Sequence, residues 1–331
     1  MLAFEKKFLE HCQKRKFFEK GERVLVAFSG GADSTALLHL LLAVRPVLKV
    51  ELGAAHCNFQ LRARASLLDE RFCQKTCASH GIPFFVERFA TAEIAKAQKT
   101  SIEETARNLR YDFFQRVMQE HGYDTLVTAH QANDNAETVL FNLFRGASLL
   151  GLGGIPERRA HILRPLLPFE RYELLQYLHA RHLPYRIDRS NFDIDYDRNF
   201  IRHKVIPLLE QRFEHKLVPS LLRLSQNAAE LSEFVEHHIE TLLRKKGLSL
   251  SHNAFEVKTL QKLTLFEQKE LFKRALKKFG LSPTAQQLQS LTNLLCLQSG
   301  RKVVINSKLE VIRKGTHIYF VEKAAGEDPA R

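Results

Sequence analysis

The chain has 331 residues, 44% of them hydrophobic, and its 50 Lys and Arg outnumber its 37 Asp and Glu to give a formal charge of +13. The five cysteines are an odd number with no CxxC pair, which excludes the disulfide framework of small secreted proteins. Charged residues interrupt the apolar positions at the N-terminus every few residues, a pattern that excludes the apolar core of a signal peptide. No stretch approaches the apolar length of a transmembrane span, and the cysteine usage makes reduced cytoplasm the expected compartment.

Strand and helix signals alternate through the first half of the chain. The predicted strands lie at 23–28, 49–56, 83–87 and 124–130. The helices that follow them, in the same order, lie at 34–43, 66–80, 103–120 and 133–144. Strands separated by helices imply right-handed crossovers, because each strand must start from the same end of the sheet. The pattern therefore predicts an α/β fold with a doubly wound parallel sheet.

The second half of the chain predicts a different organisation. Helical patterns lie at about 208–246, 265–279 and 284–297, and short β-prone runs follow at 302–305, 309–312 and 317–321. We expect a large domain over 1–207, a long connecting helix over 208–246 and a small α+β domain over 247–331. Residues 201–331 carry 22 Lys and Arg against 13 Asp and Glu, which favours contact with a polyanion because neutralised phosphates release condensed counterions.

A glycine-containing turn joins the first predicted strand to its helix. Its residues are Ser29, Gly30, Gly31, Ala32, Asp33 and Ser34. Two glycines allow successive N–H groups and the helix N-terminus to face one point, which suits a phosphate, while Asp33 can hold a cation or fix the loop. The alternative is an ordinary turn with Ser34 as N-cap, but the full strand–SGGADS–helix context favours phosphate binding. It is not a Walker loop, because no Gly-Lys-Ser/Thr follows.

Two histidines also end predicted strands. His56 ends the second strand and His130 the fourth, as Ser29 ends the first. Ligands of open α/β sheets bind outside the carboxyl ends of the strands, so these three ends predict one crevice. A single histidine at a strand end is more often a structural hydrogen-bonding group, and only the combination favours a site.

Charged pairs occupy two of the predicted helices. Asp134 and Glu137 share a face at a helix start, where they could hold Mg²⁺ or an ammonium group. Acidic residues also favour first helical turns because of the helix dipole, and the spacing leaves both interpretations open. Arg107 and Arg110 share a face of the preceding helix, either as phosphate ligands or as members of Glu–Arg pairs on an amphipathic surface.

Together these segments resemble the N-type ATP pyrophosphatases, the PP-loop family, and within them the tRNA(Ile)-lysidine synthetase branch. The resemblance covers about residues 23–207. The matching segments are SGGADS (29–34), HCNFQLR (56–62), SIEETARNLRY (101–111), TAHQANDNAET (128–138), Arg145-Gly146, Gly151-Leu152, Arg164-Pro165-Leu166 with Arg171 and Glu173, Asp188-Arg189-Ser190-Asn191, and Tyr196 to Arg202. The D-x-S-N … R-N-x-x-R series in this order is the most specific part.

The resemblance implies a two-step reaction on an isoleucine tRNA with a CAU anticodon. ATP binds at Ser29–Ser34 and His56 with Mg²⁺ at Asp33, and the oxygen at carbon 2 of a cytidine attacks the α-phosphate and releases pyrophosphate. The amine of free lysine then replaces AMP at carbon 2 and gives lysidine. A homodimer is also implied.

The implied residue roles fall into three groups. Catalytic roles go to Asp33, Arg110, His130, Asp134 and Glu137. Lysine binding goes to Asp134 and Glu137. Contacts with tRNA go to Arg62, Arg198 and Arg202 in the first domain, and the charge of the C-terminal domain adds Lys277 and Lys278.

Three positions depart from the family pattern. Phe59 stands where a second histidine is usual, and Gln131 and Asn133 replace a usual His and Asp. Any catalytic use of these three side chains is therefore in doubt.

Two other functions compete with this interpretation. Thiolation of tRNA occurs on similar loops, but it normally uses paired cysteines, and this chain has no CxxC. A non-catalytic RNA-binding protein would use the basic C-terminal region, but it would not need the SGGADS loop or the carboxylate pair.

Overall fold

The computed structural model describes residues 1–62, 64–187, 197–214, 216–250 and 253–322. The chain forms two compact units, Met1–Glu230 and Leu231–Arg331. The division into 1–207, 208–246 and 247–331 stays a prediction.

A six-stranded sheet forms the centre of the first unit. In chain order its strands are β1 Arg23–Ala27, β2 Glu51–Asn58, β3 Phe84–Arg88, β4 Thr125–Val127, β5 Arg158–Arg159 and β6 Ile162–Leu163. Their spatial order is β3-β2-β1-β4-β6-β5, and every neighbouring pair is parallel except β5 with β6. This confirms the doubly wound parallel sheet. The winding direction reverses between β1 and β4, which is where ligands bind in such sheets.

Helices lie before, between and after these strands, and the last of them runs from the first unit into the second. They are α1 Ala3–Lys14, α2 Ala32–Leu48, α3 Arg64–Ser79, α4 Thr91–Gln98, α5 Ile102–His121, α6 Ala132–Phe144, α7 Arg171–Ala180, α8 Asp197–Phe200, α9 Ile206–Phe213 and α10 Leu217–Lys246. Val24 and Val26 of β1 contact one apolar cluster while Leu25 contacts the other, because successive strand residues point to opposite faces. All three are fully buried, and burying each contributes about 1.5–3 kcal/mol relative to leaving it exposed.

The sequence did not predict α4, α7 or the β5–β6 pair, and it started the long helix too early. Glu214 ends α9 with a φ of +53°, in the left-handed region, and α10 begins only at Leu217. The apolar periodicity continues across this interruption, so the pattern alone joined two helices into one.

One buried amide fixes α6 within the first unit. Asn135, 4% exposed, donates through Nδ2 to Ser225 Oγ of α10 at 2.8 Å, and its Oδ1 accepts from Ile155 N at 2.7 Å. Gly154, with a φ of +65°, lies so close that a Cβ there would be 2.1 Å from Asn135 Oδ1. The glycine-rich turn and α10 are thus both held by one side chain.

The second unit combines helices with an antiparallel sheet. Its helices are α11 Val257–Gln261, α12 Leu265–Lys278 and α13 Ala285–Leu294, and its strands are β7 Ala254–Glu256, β8 Lys302–Val304, β9 Leu309–Lys314 and β10 His317–Glu322. The strand order is β7-β10-β9-β8, with antiparallel pairs throughout. This confirms the α+β class predicted for the C-terminal part. Among the described residues, every helix is too short or too polar to cross a membrane.

Candidate active site

The turn after β1 closes on itself through serine hydroxyls. Ser29 Oγ lies 3.0 Å from Ser34 Oγ, and Ser34 Oγ also donates to Gly31 O at 3.1 Å. Gly31 is the N-cap of α2, whose first-turn N–H groups lack intrahelical acceptors. The predicted loop therefore has the geometry of an anion site at a helix N-terminus.

Gly30 cannot be replaced without disturbing this turn. Its φ of +83° lies in the left-handed region, and a Cβ there would come within 3.0 Å of Cys73 Sγ and 3.1 Å of Phe72 Cδ1. Cys73 is buried in α3, in a packing role like that of Cys77. Both conformation and space therefore require glycine.

His56 supports the loop by contacting the carbonyl group of the residue directly before it. It is 4% exposed, and its Nδ1 lies 2.9 Å from Phe28 O, directly before Ser29. Burial lowers the pKa of the imidazole, so the ring is neutral and Nδ1–H donates to this carbonyl. His56 therefore holds the end of β1 in place, and its predicted contact with ATP stays a prediction.

Asp33 presents an unsatisfied carboxylate oxygen. Among the described residues, none hydrogen-bonds to its buried Oδ1, and Oδ2 lies 4.0 Å from Arg171 Nη1. Burial raises the pKa of Asp33 to about 6, an effect that Arg171 opposes and Asp134 strengthens. A buried carboxylate oxygen without a donor is suited to a cation.

His130 follows β4 at the same edge of the sheet. Its Nδ1 lies 2.9 Å from Thr128 Oγ1. Burial lowers the pKa of His130 well below its ordinary value, Asp134 opposes this effect, and Arg164 and Arg110 add to it. The imidazole is therefore neutral near pH 7 and can exchange hydrogen bonds with a substrate.

The predicted carboxylate pair is joined by a guanidinium group. Arg202 Nε lies 2.6 Å from Glu137 Oε1, and its Nη2 lies 2.8 Å from Glu137 Oε2 and 3.1 Å from Asp134 Oδ1. Glu137 is 4% exposed, and burial raises its pKa against the opposing hydrogen bonds from Arg202. Asp134 Oδ2 also accepts from Gln131 N at 3.1 Å, closing a capping box at the start of α6. Asp134 thus caps the helix and pairs with Arg202, and its role in holding a cation stays a prediction.

Arg110 rests on an aromatic support. Its guanidinium carbon lies 5.3 Å from the ring centre of Phe59, which stacks on Phe89 at 5.8 Å. A cation over a ring face is attracted by the negative charge of that face. The phenylalanine that replaces the usual histidine therefore positions a predicted catalytic arginine, a role that the sequence did not suggest.

The other two departures cap helices. Gln131 Oε1 accepts from Asn133 N at 2.6 Å at the start of α6. Asn133 Oδ1 accepts from Arg171 N at 3.0 Å at the start of α7. These amides stabilise the helix ends that carry Asp134 and Arg171.

A second carboxylate lies between two arginines near the loop. Arg62 Nη2 and Arg186 Nε lie 2.9 and 2.7 Å from the two oxygens of Asp69. Arg186 N also donates to Gly30 O at 2.8 Å, which brings the chain after α7 against the loop. This contact was not predicted, because Arg186 lies outside the recognised segments.

The remaining sites predicted to bind tRNA are on the surface. Arg198 is exposed, donates to Thr138 Oγ1 at 3.2 Å and lies 6.0 Å from the ring centre of Phe141. The segment 188–191 and Tyr196 lie outside the described residues.

In the second unit, exposed Lys277 and Lys278 end α12 and line a groove of about 480 Å³. Lys278 Nζ donates to Leu250 O at 3.1 Å, and Arg274 pairs with Glu236 at 2.7 Å. The positive charge of the groove therefore comes from Lys277 and Lys278, because Glu236 neutralises the charge of Arg274.

Comparison with known proteins accounts for this arrangement. Residues 2–209 match the model of the PP-loop domain. The chain is 51% identical to the tRNA(Ile)-lysidine synthase of Chlorobaculum tepidum over 309 residues, which are 93% of each chain. It is 36% identical to the synthase of the same name from Clostridium perfringens over 83% of this chain, but it spans only 58% of that longer relative.

A solved structure shares the fold. The U34-tRNA thiolase NcsA from Methanococcus maripaludis aligns with a TM-score of 0.58 over 69% of this chain and 79% of its own, at 19% identity. Sequence, sheet order and loop geometry thus agree with the family match: the chain belongs to the PP-loop domain family and, within it, to the tRNA(Ile)-lysidine synthases.

Proposed function

We propose that this chain uses ATP to join free lysine to carbon 2 of the first anticodon cytidine of an isoleucine tRNA with a CAU anticodon. The observation that carries the proposal is the 51% identity to a tRNA(Ile)-lysidine synthase over 93% of both chains. The chain is accordingly a carbon–nitrogen ligase that converts ATP to AMP and pyrophosphate.

The first step activates the cytidine. Its carbonyl oxygen at carbon 2 attacks the α-phosphorus, the bond to the bridging oxygen breaks, and pyrophosphate leaves with the electron pair. The N–H groups at the start of α2 can stabilise the charge on that leaving group. Arg110, supported by Phe59, can neutralise phosphate charge at the edge of the sheet where His130 lies.

Mg²⁺ fits the residues at the loop. Asp33 Oδ1 is buried and no described residue hydrogen-bonds to it, and it belongs to the first turn of the helix whose N-terminus would take the phosphates. Mg²⁺ is usually held by one or two carboxylates together with substrate phosphates, so Asp33 is the residue proposed to hold it. The ion would neutralise charge on the departing pyrophosphate.

The second step requires a site for the lysine side chain. The ε-amine, once deprotonated, attacks carbon 2, the carbon–oxygen bond breaks, and AMP leaves with the electron pair. Ionised Asp134 and Glu137 carry two negative charges against the one positive charge of Arg202.

The remaining negative charge suits one ammonium group. The raised pKa of Glu137 also makes it a better proton acceptor than an ordinary glutamate. These features support Glu137 and Asp134 as the lysine site.

The tRNA would extend beyond this crevice. Exposed Arg198, and Lys277 and Lys278 on the second unit, are proposed phosphate contacts. Arg62 pairs with Asp69, a carboxylate that it shares with Arg186. Arg202 makes three hydrogen bonds to Glu137 and Asp134, so it is better suited to hold these carboxylates than to contact a phosphate. The homodimer and the cytoplasmic location stay predictions.

Three of the five cysteines are poorly suited to the thiolation alternative. Burial raises the pKa of Cys57 and Cys77 to about 12, and that of Cys73 still higher. Sulfur transfer uses the thiolate form, which such burial suppresses.

The decisive experiment measures lysine incorporation. The purified chain is incubated with ATP, Mg²⁺, labelled lysine and an isoleucine tRNA transcript whose anticodon is CAU, and the nucleosides are analysed by mass. A methionine tRNA transcript with the same anticodon serves as a specificity control. We expect lysidine at the first anticodon position of the isoleucine tRNA only. A complete absence of lysine incorporation, with the tRNA bound, would refute the proposal.

A further inference from the structure

Arg164 is a buried cation at the carboxyl end of β6. It follows Leu163, the last residue of that strand, and β6 runs parallel to β4, so Arg164 and His130 lie at the same edge of the sheet. The residue is 5% exposed. Its Nη1 donates to Pro156 O at 2.7 Å, whereas its buried Nε has no hydrogen-bond acceptor among the described residues.

Three other arginines near the crevice have carboxylate partners. Arg202 pairs with Glu137 and Asp134, and Arg62 and Arg186 share Asp69. Within the described ranges, no carboxylate pairs with Arg164. An unpaired charge at this depth is costly, and a fold tolerates such a cost mainly at a functional site. A ligand that brings negative charge would remove it.

The surroundings of Arg164 add to its positive charge. Burial lowers the pKa of Arg164, and the guanidinium groups of Arg159 and Arg107 act in the same direction, while Tyr111 opposes them. Arg107 and Arg159 are both exposed. The guanidinium carbon of Arg107 lies 5.3 Å from the ring centre of Tyr111, which hydrogen-bonds to Arg164, and Arg159 is on β5, which pairs with the strand directly before Arg164. These two exposed cations therefore form a rim near the buried guanidinium group, where an anion would be stabilised.

We propose that Arg164, with Arg107 and Arg159 at its rim, forms a second phosphate-binding site that holds a backbone phosphate of the tRNA beside the nucleotide under modification. The site rests on the proposed function and extends it. A guanidinium group matches phosphate oxygens with two parallel donors, and Nε is the donor of Arg164 that has no described acceptor.

The position of the site favours RNA over ATP as the source of the phosphate. In the sheet order, β6 is separated from β1 by β4, a distance of about 10 Å at the usual interstrand spacing. The pyrophosphate of ATP belongs to the loop after β1. The exposed rim can accept a polymer that continues past the crevice, as tRNA does, and such contacts fix its register.

Filter binding of the isoleucine tRNA transcript over a salt series, without ATP, tests the site. Arg164→Gln removes the charge but keeps an amide that can donate to Pro156 O. We expect about tenfold weaker tRNA binding and a salt slope reduced by about 0.7, as for one single-stranded phosphate contact, with an unchanged KM for ATP and an unchanged or higher Tm. Arg164→Lys should retain part of the affinity. Arg116→Gln, an exposed arginine on α5 paired with Glu87, is the matched control and should bind normally.

Three results would overturn the assignment. Normal affinity and salt slope in a folded Arg164→Gln protein would exclude the contact. A raised KM for ATP with normal tRNA binding would assign the arginine to the nucleotide. A lower Tm with parallel loss of both ligands would make Arg164 a structural residue.

The assay also separates this inference from the proposed function. Lysidine formation by the wild type, with normal tRNA binding by Arg164→Gln, contradicts only the second phosphate site. Binding of tRNA that depends on Arg164, without lysine incorporation, contradicts only the proposed function.

Discussion

The loop after β1 and the region after β4 meet at the same edge of the sheet, but they are built by different means. The loop depends on main-chain conformation, with Gly30 at a φ of +83° and the hydroxyls of Ser29 and Ser34 closing the turn. The region after β4 depends on charged side chains, with Glu137 and Asp134 on one helix and Arg202 from a distant segment. The first region should therefore respond to added volume, and the second to lost charge.

The largest expected effect comes from adding volume at the loop. Gly30→Val would place a branched side chain against Cys73 and Phe72 at a positive φ. We expect ATP–pyrophosphate exchange to fall at least about a hundredfold, as when preorganised donors are lost. Gly21→Val is the matched control, because Gly21 has a φ of +85° with open space around it. It should lose stability by about 1–2 kcal/mol and keep its turnover. Equal turnover in the two variants, both folded by circular dichroism, would remove the distinction between the regions.

Removing charge after β4 should affect lysine more than ATP. Glu137→Gln keeps the shape of the side chain and leaves Arg202 with a weaker partner. Lysine ligation should slow about 10–100-fold, while ATP–pyrophosphate exchange changes little. The control is Glu87→Gln, which removes a carboxylate paired with Arg116 at 2.6 Å on the surface. An unchanged lysine KM and kcat in Glu137→Gln would show that Glu137 has only a structural role.

Asp33 links the two regions and should change function and stability in opposite directions. Asp33→Asn should raise the Mg²⁺ concentration needed for half-maximal turnover about tenfold. Because burial raises the pKa of Asp33 from 3.8 to about 6, its folded-state preference for the proton stabilises the protein below pH 3.8 and is lost as pH rises through 6. Thermal melts without Mg²⁺ should therefore show a Tm for Asp33→Asn above the wild-type value at pH 8 but not at pH 4. A lower Tm at pH 8 would contradict this account.

A smaller effect is expected from removing the aromatic ring of Phe59, which supports the charge of Arg110. Phe59→Ala removes the ring under Arg110, a contact at 5.3 Å. The loss of a cation–π contact of about 0.5–1 kcal/mol corresponds to roughly 2–5-fold slower ATP–pyrophosphate exchange. Phe59→Tyr should restore the rate. Failure of tyrosine to restore it, in a folded protein, would exclude the cation–π explanation.

The smallest effect on chemistry should come from the second unit. Charge reversal of Lys277 and Lys278 should leave ATP–pyrophosphate exchange at saturating tRNA unchanged, weaken tRNA binding, and reduce the salt slope by about 0.9 for each lost phosphate contact. Lys308→Glu, another exposed lysine of that unit, provides the control. A normal salt slope in the double variant would show that the groove of α12 contacts solvent and not tRNA.

Local signals explain what could be predicted from the sequence. The SGGADS turn, the strand ends at His56 and His130, and the Asp134–Glu137 spacing are each contained in a few consecutive residues. Their chemistry follows from backbone conformation and helix geometry, so their position at one edge of the sheet can be predicted from the sequence.

The parts that the sequence missed depend on distant residues. Arg202 reaches Glu137 across 65 positions, and Arg186 reaches Asp69 across 117. Phe59 supports Arg110 only because β2 and α5 lie side by side in the fold. The two-residue strands β5 and β6 are too short to show any alternation, which also concealed the surroundings of Arg164.

The amide of Asn135 has a consequence for how the first unit is made. Its partner Ser225 follows 90 residues later, beyond residue 209 where the matched PP-loop domain ends. During synthesis, α6 and the glycine-rich turn therefore emerge from the ribosome well before the hydroxyl that secures them, and contacts of such long sequence separation form late in folding. A chain terminated at residue 209 would contain every residue of the SGGADS loop and the carboxylate pair, yet Asn135 would face a missing partner. The smallest chain that folds as the intact enzyme does should continue through Glu230, where the first compact unit ends.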